Sequence, residues 1–359
     1  MASRRNRSNE SRWLKYQWRH EYGPLENCKR SRHVERLRSR SMALAKIKKS
    51  SLRRRLHALR YKALALLVLL FAASNAAAQN LEPRSYVNTP VGMHFLIGAY
   101  AYTEGKLEFD PTLPIADATY HQDTVALGYA HSFGVWGKSA KFDVIVPYSS
   151  FSGHADVNGQ QRFRQISGYQ DPLFRVSVNF YGAPALTAKE FASYQQDLLI
   201  GASVQVSAPL GQYDNTRLIN LGNNRWAIKP QLGISKAWDA WTLELAPGVT
   251  FYTDNTDFNQ GGRFEQSPLY SVQAHLVHAF ASGIWVAVDG TYFSGGRTKL
   301  NGVQNDTLQS NTRGGVTLAI PVDRNNSIKL YAFGGTTTRT GTTANSAGVA
   351  WQYRWGGGY

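Results

Sequence analysis

The stretch of sequence that decides the fold reads FRVSVNF at residues 174–180, and it alternates between apolar and polar side chains. The apolar members share one parity: Phe174, Val176, Val178, Phe180. A β-strand points successive side chains to opposite faces, so this stretch predicts a strand with one apolar and one polar face. The alternation returns in residues 198–207 and 226–235. Such strands belong either to a soluble sandwich or to a membrane barrel with lipid outside and water inside.

The connections between the strands favour the barrel. About twelve alternating segments follow residue 79, an even number typical of single-chain bacterial barrels. Short connections at residues 134–138, 237–240, 281–283 and 323–326 alternate with long polar ones, of which residues 149–169 are one. Outer-membrane barrels have this asymmetry of short periplasmic turns and long outer loops, and a soluble sandwich has no reason to produce it. The predicted fold class is all-β, a transmembrane antiparallel β-barrel of about twelve strands.

Two further features refine this prediction. Aromatic residues recur near the strand ends, as in the girdles at membrane interfaces, although aromatic residues favour strands in general. The connection at residues 182–196 differs from the others because Thr187 and Glu190 have the spacing of a capping box, which predicts one or two helical turns.

Charge is distributed unevenly along the chain. The whole sequence has 40 basic and 24 acidic residues, a formal net charge of +16. Residues 1–78 contain 20 basic and 4 acidic residues, which leaves 20 of each for residues 79–359. The basic character therefore belongs to the leader, and the remainder of the chain gives no reason to expect a nucleic-acid partner.

The end of that leader has the layout of an export signal. A basic flank precedes an apolar run at residues 63–73, and Ala76, Ala77 and Ala78 form a small-residue exit. The run is too short to span a bilayer as a helix, so we expect a cleaved signal peptide with cleavage between Ala78 and Gln79. The expected division is a basic extension plus signal peptide at residues 1–78 and an outer-membrane barrel at residues 79–359.

Residues 1–41 are rich in arginine and lack periodicity. They are either a nucleic-acid-binding or targeting arm, or a stretch upstream of a true start at Met42. The single cysteine, Cys28, precedes the expected cleavage site, so the expected mature chain has no thiol chemistry and no disulfide.

Several motifs carry a family resemblance. The longest reads LINLGNNRWAIKP at residues 218–230, and shorter ones are GYQDP at 168–172, GAPAL at 182–186, APLGQY at 208–213 and WQYRW at 351–355. In these motifs the chain resembles the outer-membrane family named after the meta-pathway of phenol degradation, over nearly all of residues 79–359. The resemblance implies a transporter-type barrel linked with catabolism of aromatic or other hydrophobic compounds. It implies neither a particular substrate nor a catalytic set.

Two groups of residues are candidates for contact with a solute. Assigning the polar parity to the lumen places ten ionisable side chains inside: Lys141, Asp143, Arg175, Lys229, Glu244, His275, Asp289, Arg313, Lys329, Arg354. Six are basic and three acidic, so the lumen would favour anionic or carboxylated solutes, unless the charges pair across strands and fill the lumen. A second group lies in the longest motif at the expected mouth: Asn220, Asn223, Asn224, Arg225. These residues either bind polar groups of a solute or stabilise a tight loop.

No constellation for catalysis or metal binding is evident in the sequence. A barrel-wall hydrolase needs a serine, a histidine and an acid facing one way, and no serine elbow accompanies His275. The other histidines lack the spacing of metal ligands. We therefore expect no enzyme, no metal and no cofactor.

The function expected from the sequence is a channel of the outer membrane of a Gram-negative bacterium that passes small aromatic or hydrophobic solutes by passive diffusion. The alternative is a non-conducting structural or adhesin-like barrel whose outer loops bind a partner, and the third is the hydrolase. The expected partners are outer-membrane lipid, the solute and the barrel-assembly machinery. The last of these is expected because the final strand keeps Val349, Trp351, Tyr353, Trp355 and Tyr359 on one parity and ends on an aromatic residue.

Overall fold

The structure is a computed structural model that describes residues 82–108 and 115–358. The expected basic extension, the expected signal peptide with its cleavage site, and Tyr359 lie outside the described residues. Within the described part, no helix is long and apolar enough to cross a membrane.

The described chain is almost entirely β-structure. The strands are β1 (Met93–Glu108), β2 (Ile115–Val135), β3 (Lys138–Val157), β4 (Gln160–Tyr169), β5 (Leu173–Tyr181), β6 (Leu198–Ser207), β7 (Ala227–Trp238), β8 (Trp241–Tyr252), β9 (Asn255–Phe258), β10 (Gly262–Gln266), β11 (Leu269–Ala279), β12 (Trp285–Gly295), β13 (Thr298–Leu300), β14 (Val303–Gln304), β15 (Gln309–Pro321), β16 (Asn326–Thr337) and β17 (Gly341–Gly356). One short helix, α1 (Ala188–Phe191), lies between β5 and β6.

Twelve of these strands close into one antiparallel barrel, which confirms the predicted fold class and strand number. Each of the twelve barrel strands pairs with the next barrel strand along the chain. The first and last, β1 and β17, also pair, from Met93 opposite Gly356 to Glu108 opposite Gly341. Pairing of the first strand with the last leaves no free edge around the wall, as a membrane-spanning sheet requires.

The alternation of the sequence matches the two faces of the wall. On β6, Val204 is 46% exposed and points outward, whereas its neighbour Ser203 is 5% exposed and points inward. On β5, Val176 is exposed and Ser177 buried in the same way. The first strand, whose parity the sequence leaves ambiguous, turns Tyr100 and Tyr102 outward.

The barrel has two distinct ends. We name the end that contains the connections at residues 136–137, 239–240, 280–284 and 322–325 the short-turn end, and the opposite end the loop end. Trp136 and Gly137 both have positive φ, as a two-residue turn compatible with strand twist requires. Two connections depart from the alternation: residues 338–340 form a short turn at the loop end, and residues 182–197 form a long connection at the short-turn end.

The long connection contains the predicted helical turn. Thr187 and Glu190 form a reciprocal capping box at the start of α1, which confirms the interpretation of their spacing. The connection packs on the β2–β3 turn, where the backbone N–H of Ser139 donates to the carbonyl of Ala183 at 3.0 Å.

The loop end contains more regular structure than the sequence predicts. Residues 149–169, predicted as a polar loop, instead continue β3 to Val157 and form β4, because cross-strand hydrogen bonds above the membrane band do not need an apolar parity. β3 pairs with β5 along residues 140–145 and with β4 along residues 148–157. β9, β10, β13 and β14 form a separate small sheet within two other long loops.

Candidate transport lumen

Residues 82–92 cross the inside of the barrel before β1 begins. Glu244 on β8 accepts a hydrogen bond from the backbone N–H of Arg84 at 2.7 Å. Lys329 on β16 forms an ion pair with Glu82. Inward side chains of separate parts of the wall thus contact one short segment, which places that segment in the lumen.

Tyr86 is deeply enclosed in this segment, with 2% of its surface exposed. Its hydroxyl shares a hydrogen bond of 2.9 Å with Ser203, and its carbonyl accepts one of 2.9 Å from Asn179. The ring lies against Gly201 and Gly233, and a Cβ on Gly233 would be 2.3 Å from ring atoms of Tyr86. The two glycines therefore create the space that the tyrosine fills.

Further hydrogen bonds hold the segment to β3 and β2. Lys141 donates from Nζ to the carbonyl of Ser85 at 2.5 Å and lies 3.4 Å from that of Val87. Ser132 donates to the carbonyl of Pro90 at 2.5 Å. Because the backbone of the segment satisfies the cation of Lys141, this side chain is part of the segment's anchorage.

Asp143 and Arg175 form an ion pair across β3 and β5, with 2.6 Å between Oδ2 and Nε. The next strands in the same cross-strand row contribute Gln205 and Lys229, which are direct partners on β6 and β7. The structure thus brings four of the polar lumen side chains into one row.

His275 and Asp289 form a second buried pair, with 2.7 Å between Nδ1 and Oδ1 and side-chain exposures of 1% and 2%. Thr317 donates to the other carboxylate oxygen of Asp289 at 2.9 Å. In the described residues no serine hydroxyl is bonded to Nε2 of His275, which has no hydrogen-bond partner. The arrangement contains a histidine and an acid without the nucleophile that a hydrolase needs.

Arg313 lies nearer the loop end, with its guanidinium 5.0 Å from the ring centre of Phe293. Apolar side chains cluster at this end: Phe151, Ile166 and Leu221 are buried together. Leu107, Tyr120 and Ile219 pack around them. The loop end thus contains an apolar cluster among polar side chains such as Thr103 and Asn311, whereas the surroundings of residues 82–92 are polar.

A cavity of about 100 Å³ opens beside this cluster. Its lining is mainly apolar and includes Leu107, Phe151 and Leu218, and two cationic side chains, Arg162 and Arg164, border it. Such a lining is typical of sites that hold an apolar molecule and orient it with few polar groups.

Arg354, the remaining candidate for the lumen, lies at the short-turn end. Its Nε donates to the carbonyl of Arg324 in the turn between β15 and β16, at 2.9 Å. The backbone N–H of Arg354 also donates to Asn325 in that turn, at 2.9 Å. The structure therefore places it with the turn and away from the other candidates.

The candidate mouth residues all bond to other protein groups. Asn223 donates from Nδ2 to Asp171 at 3.0 Å, and Asn224 donates to Asn255 at 3.0 Å. Asn220 donates to the carbonyls of Asp214 and Arg217 at 3.0 and 2.9 Å. These bonds fix the loop at residues 208–226 and occupy groups that a solute would otherwise contact.

Arg225 is held between two aromatic rings. Its guanidinium lies 4.5 Å from the ring centre of Tyr252 and 4.9 Å from that of Phe264, and it donates to Gln266 at 2.5 Å. Burial lowers the pKa of this arginine to about 10, so it stays charged at neutral pH. The cation–π contacts favour a role in holding the loop over β8 and β10.

Groups of metal-ligating side chains are absent from the described residues: no three His, Cys, Asp or Glu side chains lie close enough to hold an ion.

Two important residues do not stand out in the sequence. Tyr86 lies in a segment without alternation, and only the two inward glycines opposite it, Gly201 and Gly233, could have indicated that a bulky group enters there. Asp171 in the GYQDP motif accepts hydrogen bonds from Gly211 and Asn223 and so joins two motifs. These motifs lie apart in the sequence, so their contact through Asp171 becomes visible only in the fold.

The comparisons agree with this architecture. The profile of the family described as "Putative MetA-pathway of phenol degradation" matches residues 109–353. The COG4313 outer membrane channel from Pseudomonas putida F1 has a similar structure, with a TM-score of 0.66 and 19% identity, covering 77% of this chain and 100% of that one. The transport unit of the autotransporter AIDA-I from Escherichia coli matches with a TM-score of 0.44 and 9% identity, covering 79% of this chain and 95% of that one. The CymD monoaromatic hydrocarbon channel matches with a TM-score of 0.37 and 7% identity, over 78% and 94% of the two chains. No curated protein matches the sequence.

Proposed function

The chain belongs to the MetA-pathway phenol degradation family, and from this premise we propose that it is a channel of the Gram-negative outer membrane that passes small aromatic or hydrophobic solutes by diffusion. Its barrel fold is that of outer-membrane channels. Export after cleavage between Ala78 and Gln79, contact with lipid and insertion by the barrel-assembly machinery are parts of the same proposal.

The observation that carries the proposal is the apolar cluster, with a cavity beside it, at the loop end of an otherwise polar lumen. The loop end contains the buried cluster of Phe151, Ile166 and Leu221, and a mainly apolar cavity lies beside them. Nearer the short-turn end, the inward side chains are polar and bond to residues 82–92. An apolar solute would gain from burial at the loop end and would then meet weak polar contacts, which suits entry followed by release.

The proposal assigns no chemistry to the lumen. His275 and Asp289 are bonded to each other within the barrel wall. Among the described residues, the hydroxyl bonded to this pair is that of Thr317, which donates to Asp289. We therefore propose a protein that acts by selection of solutes alone, without a cofactor.

The proposal is tested by swelling of proteoliposomes. Protein purified from outer membranes of cells that express the full chain is reconstituted, and swelling is followed in isosmotic phenylalanine, glutamine and arabinose, none of which crosses pure lipid readily. We expect swelling in all three solutes, fastest in phenylalanine. A gel shift between unboiled and boiled samples establishes that the barrel is folded. Folded protein that gives no more swelling than empty liposomes in any solute overturns the proposal.

A second candidate function is supported by the small sheet of β9, β10, β13 and β14, which gives two long loops a defined surface. In this alternative the barrel does not conduct and its loops bind a partner. Absence of swelling from folded protein would favour this alternative.

A further inference from the structure

Lys229 differs from three other cations that face the lumen, and Arg313, nearer the loop end, packs against the ring of Phe293. Arg175 pairs with Asp143, Lys329 pairs with Glu82, and Lys141 donates to backbone carbonyls of residues 82–92. Lys229 has no carboxylate or carbonyl partner among the residues that the structure describes, and it remains partly exposed to the lumen. An ammonium group in such a place attracts an anion strongly, because surrounding protein replaces much of its hydration.

The neighbours of Lys229 form a row of hydrogen-bond donors. Arg175 on β5, Gln205 on β6 and Lys229 on β7 are consecutive cross-strand partners, and all three point inward. Adjacent strands are about 4.8 Å apart, so the three Cα atoms span about 10 Å. Side chains of this length can converge on one small group lying over Gln205.

The net charge of the row suits a ligand that carries a single negative charge. Asp143 engages Nε of Arg175, which neutralises this pair and leaves the terminal nitrogens of the guanidinium free to donate within the described structure. Lys229 then supplies one uncompensated positive charge, and the amide of Gln205 adds a neutral donor. A planar carboxylate with two acceptor oxygens matches this combination of an ammonium, an amide and a guanidinium edge.

The row lies directly on the loop-end side of Tyr86. Ser203 and Gln231, which contact the hydroxyl of Tyr86, are each two residues from Gln205 and Lys229 on the same strands. Two residues along a strand correspond to about 6.8 Å. A solute that enters from the loop end therefore reaches the row of donors just before it meets the tyrosine.

We propose that Lys229, with Gln205 and Arg175, forms a binding site in the lumen for a small monocarboxylate, and that the channel prefers solutes that carry this group. The inference rests on the proposed function for its biological meaning, and binding itself can be measured whether or not the barrel conducts. Benzoate is a suitable probe because it combines a carboxylate with an aromatic ring, and benzyl alcohol is its uncharged counterpart.

The site is tested by saturation-transfer NMR titrations of the detergent-solubilised full protein with benzoate and with benzyl alcohol. We expect benzoate to bind at least about tenfold more weakly to Lys229→Gln than to the parent protein, because a hydrogen bond between charged groups is lost. Lys229→Arg should retain most of the binding. Lys106→Gln, on the outward face of β1, is the matched control and should bind as the parent does.

Ion selectivity provides a second measurement. In planar bilayers under a salt gradient, we expect the parent protein to prefer chloride over potassium and Lys229→Gln to lose much of that preference. Equal benzoate binding by parent and Lys229→Gln, or equal binding of benzoate and benzyl alcohol by the parent, overturns the proposed site. Folded protein that binds benzoate at Lys229 but passes no solute would leave the site standing and refute the channel function instead.

Discussion

The carboxylate of Glu244 on β8 accepts a hydrogen bond of 2.7 Å from the backbone N–H of Arg84, and Glu244 itself is only 1% exposed. The second oxygen accepts a hydrogen bond from Ser235 at 3.2 Å. A buried carboxylate is costly unless such donors stabilise it. This contact therefore couples the position of residues 82–92 to the wall of the barrel.

Replacement of Glu244 should release this segment. A hydrogen bond to a charged group contributes about 1.5–3 kcal/mol, so Glu244→Ala should increase the exposed population of residues 82–92 about tenfold or more. Tryptic cleavage after Arg84, followed by mass spectrometry, measures this population. Glu244→Gln keeps an acceptor oxygen and should have a smaller effect, and Glu104→Ala on the exposed outer face should have none. Equal cleavage of all variants would contradict the assigned contact.

Enlargement of Gly233 should displace Tyr86. A Cβ at this position would lie 2.3 Å from the tyrosine ring, and overpacking of this kind costs about 1–3 kcal/mol. We expect Gly233→Ala to lower the temperature at which the gel shift of the folded barrel is lost. Because the displaced segment leaves more of the lumen open, we also expect the ion conductance of the barrel to increase. Gly290→Ala is the matched control, since nothing lies within 4 Å of a Cβ there. In a Tyr86→Ala background Gly233→Ala should cost little, and an unchanged cost would disprove the steric explanation.

The barrel could be predicted from the sequence because the two solvents impose a period of two. Lipid outside and water inside select opposite side chains at Val176 and Ser177, which makes the strands of the wall recognisable in the sequence. The sequence did not predict β4, because the residues around Arg162 are polar on both parities and above the membrane nothing selects an apolar face.

The interior of the lumen could be predicted only in part. The parity of Lys141, Asp143 and Arg175 indicates that they point inward, but their partners depend on which strands become neighbours and on where residues 82–92 lie. That segment has no alternating pattern, because contacts with the groups that line the lumen determine its position, rather than two different solvents on opposite faces. The excess of basic over acidic side chains among the predicted lumen residues suggests an anionic solute in general, whereas the structure shows that Lys229, beside the Asp143–Arg175 pair, has no carboxylate or carbonyl partner in the described residues.

Acid should loosen the connection that contains α1. The carboxylate of Glu190 accepts hydrogen bonds from the backbone N–H of Thr187 at 2.9 Å and from its hydroxyl at 2.8 Å, and these bonds lower the pKa of Glu190. The stabilisation is present above the unfolded pKa of about 4.3 and is lost as pH falls through the lower folded value. Hydrogen exchange of residues 187–194, corrected for intrinsic rates, should therefore accelerate as the pH falls below the unfolded pKa of Glu190, about 4.3. Glu190→Gln should remove this dependence on pH, and a dependence that persists would assign it to another group.

Loss of the Asp171 carboxylate should free the loop at residues 208–226. Its two oxygens accept hydrogen bonds from the backbone N–H groups of Gly211 and Asn223 at 2.9 and 2.8 Å, and Asp171 is 6% exposed. Asp171→Ala leaves these donors buried without an acceptor, at a cost of about 1–3 kcal/mol for each. We expect trypsin to cleave after the exposed Arg217 at least about tenfold faster in this variant, while the gel shift of the folded barrel persists because the twelve-stranded wall does not depend on the loop. Asp156→Ala, in the β3–β4 hairpin, should leave cleavage at Arg217 unchanged. Cleavage of Asp171→Ala at the parental rate would mean that the two motifs are held together by contacts other than this carboxylate.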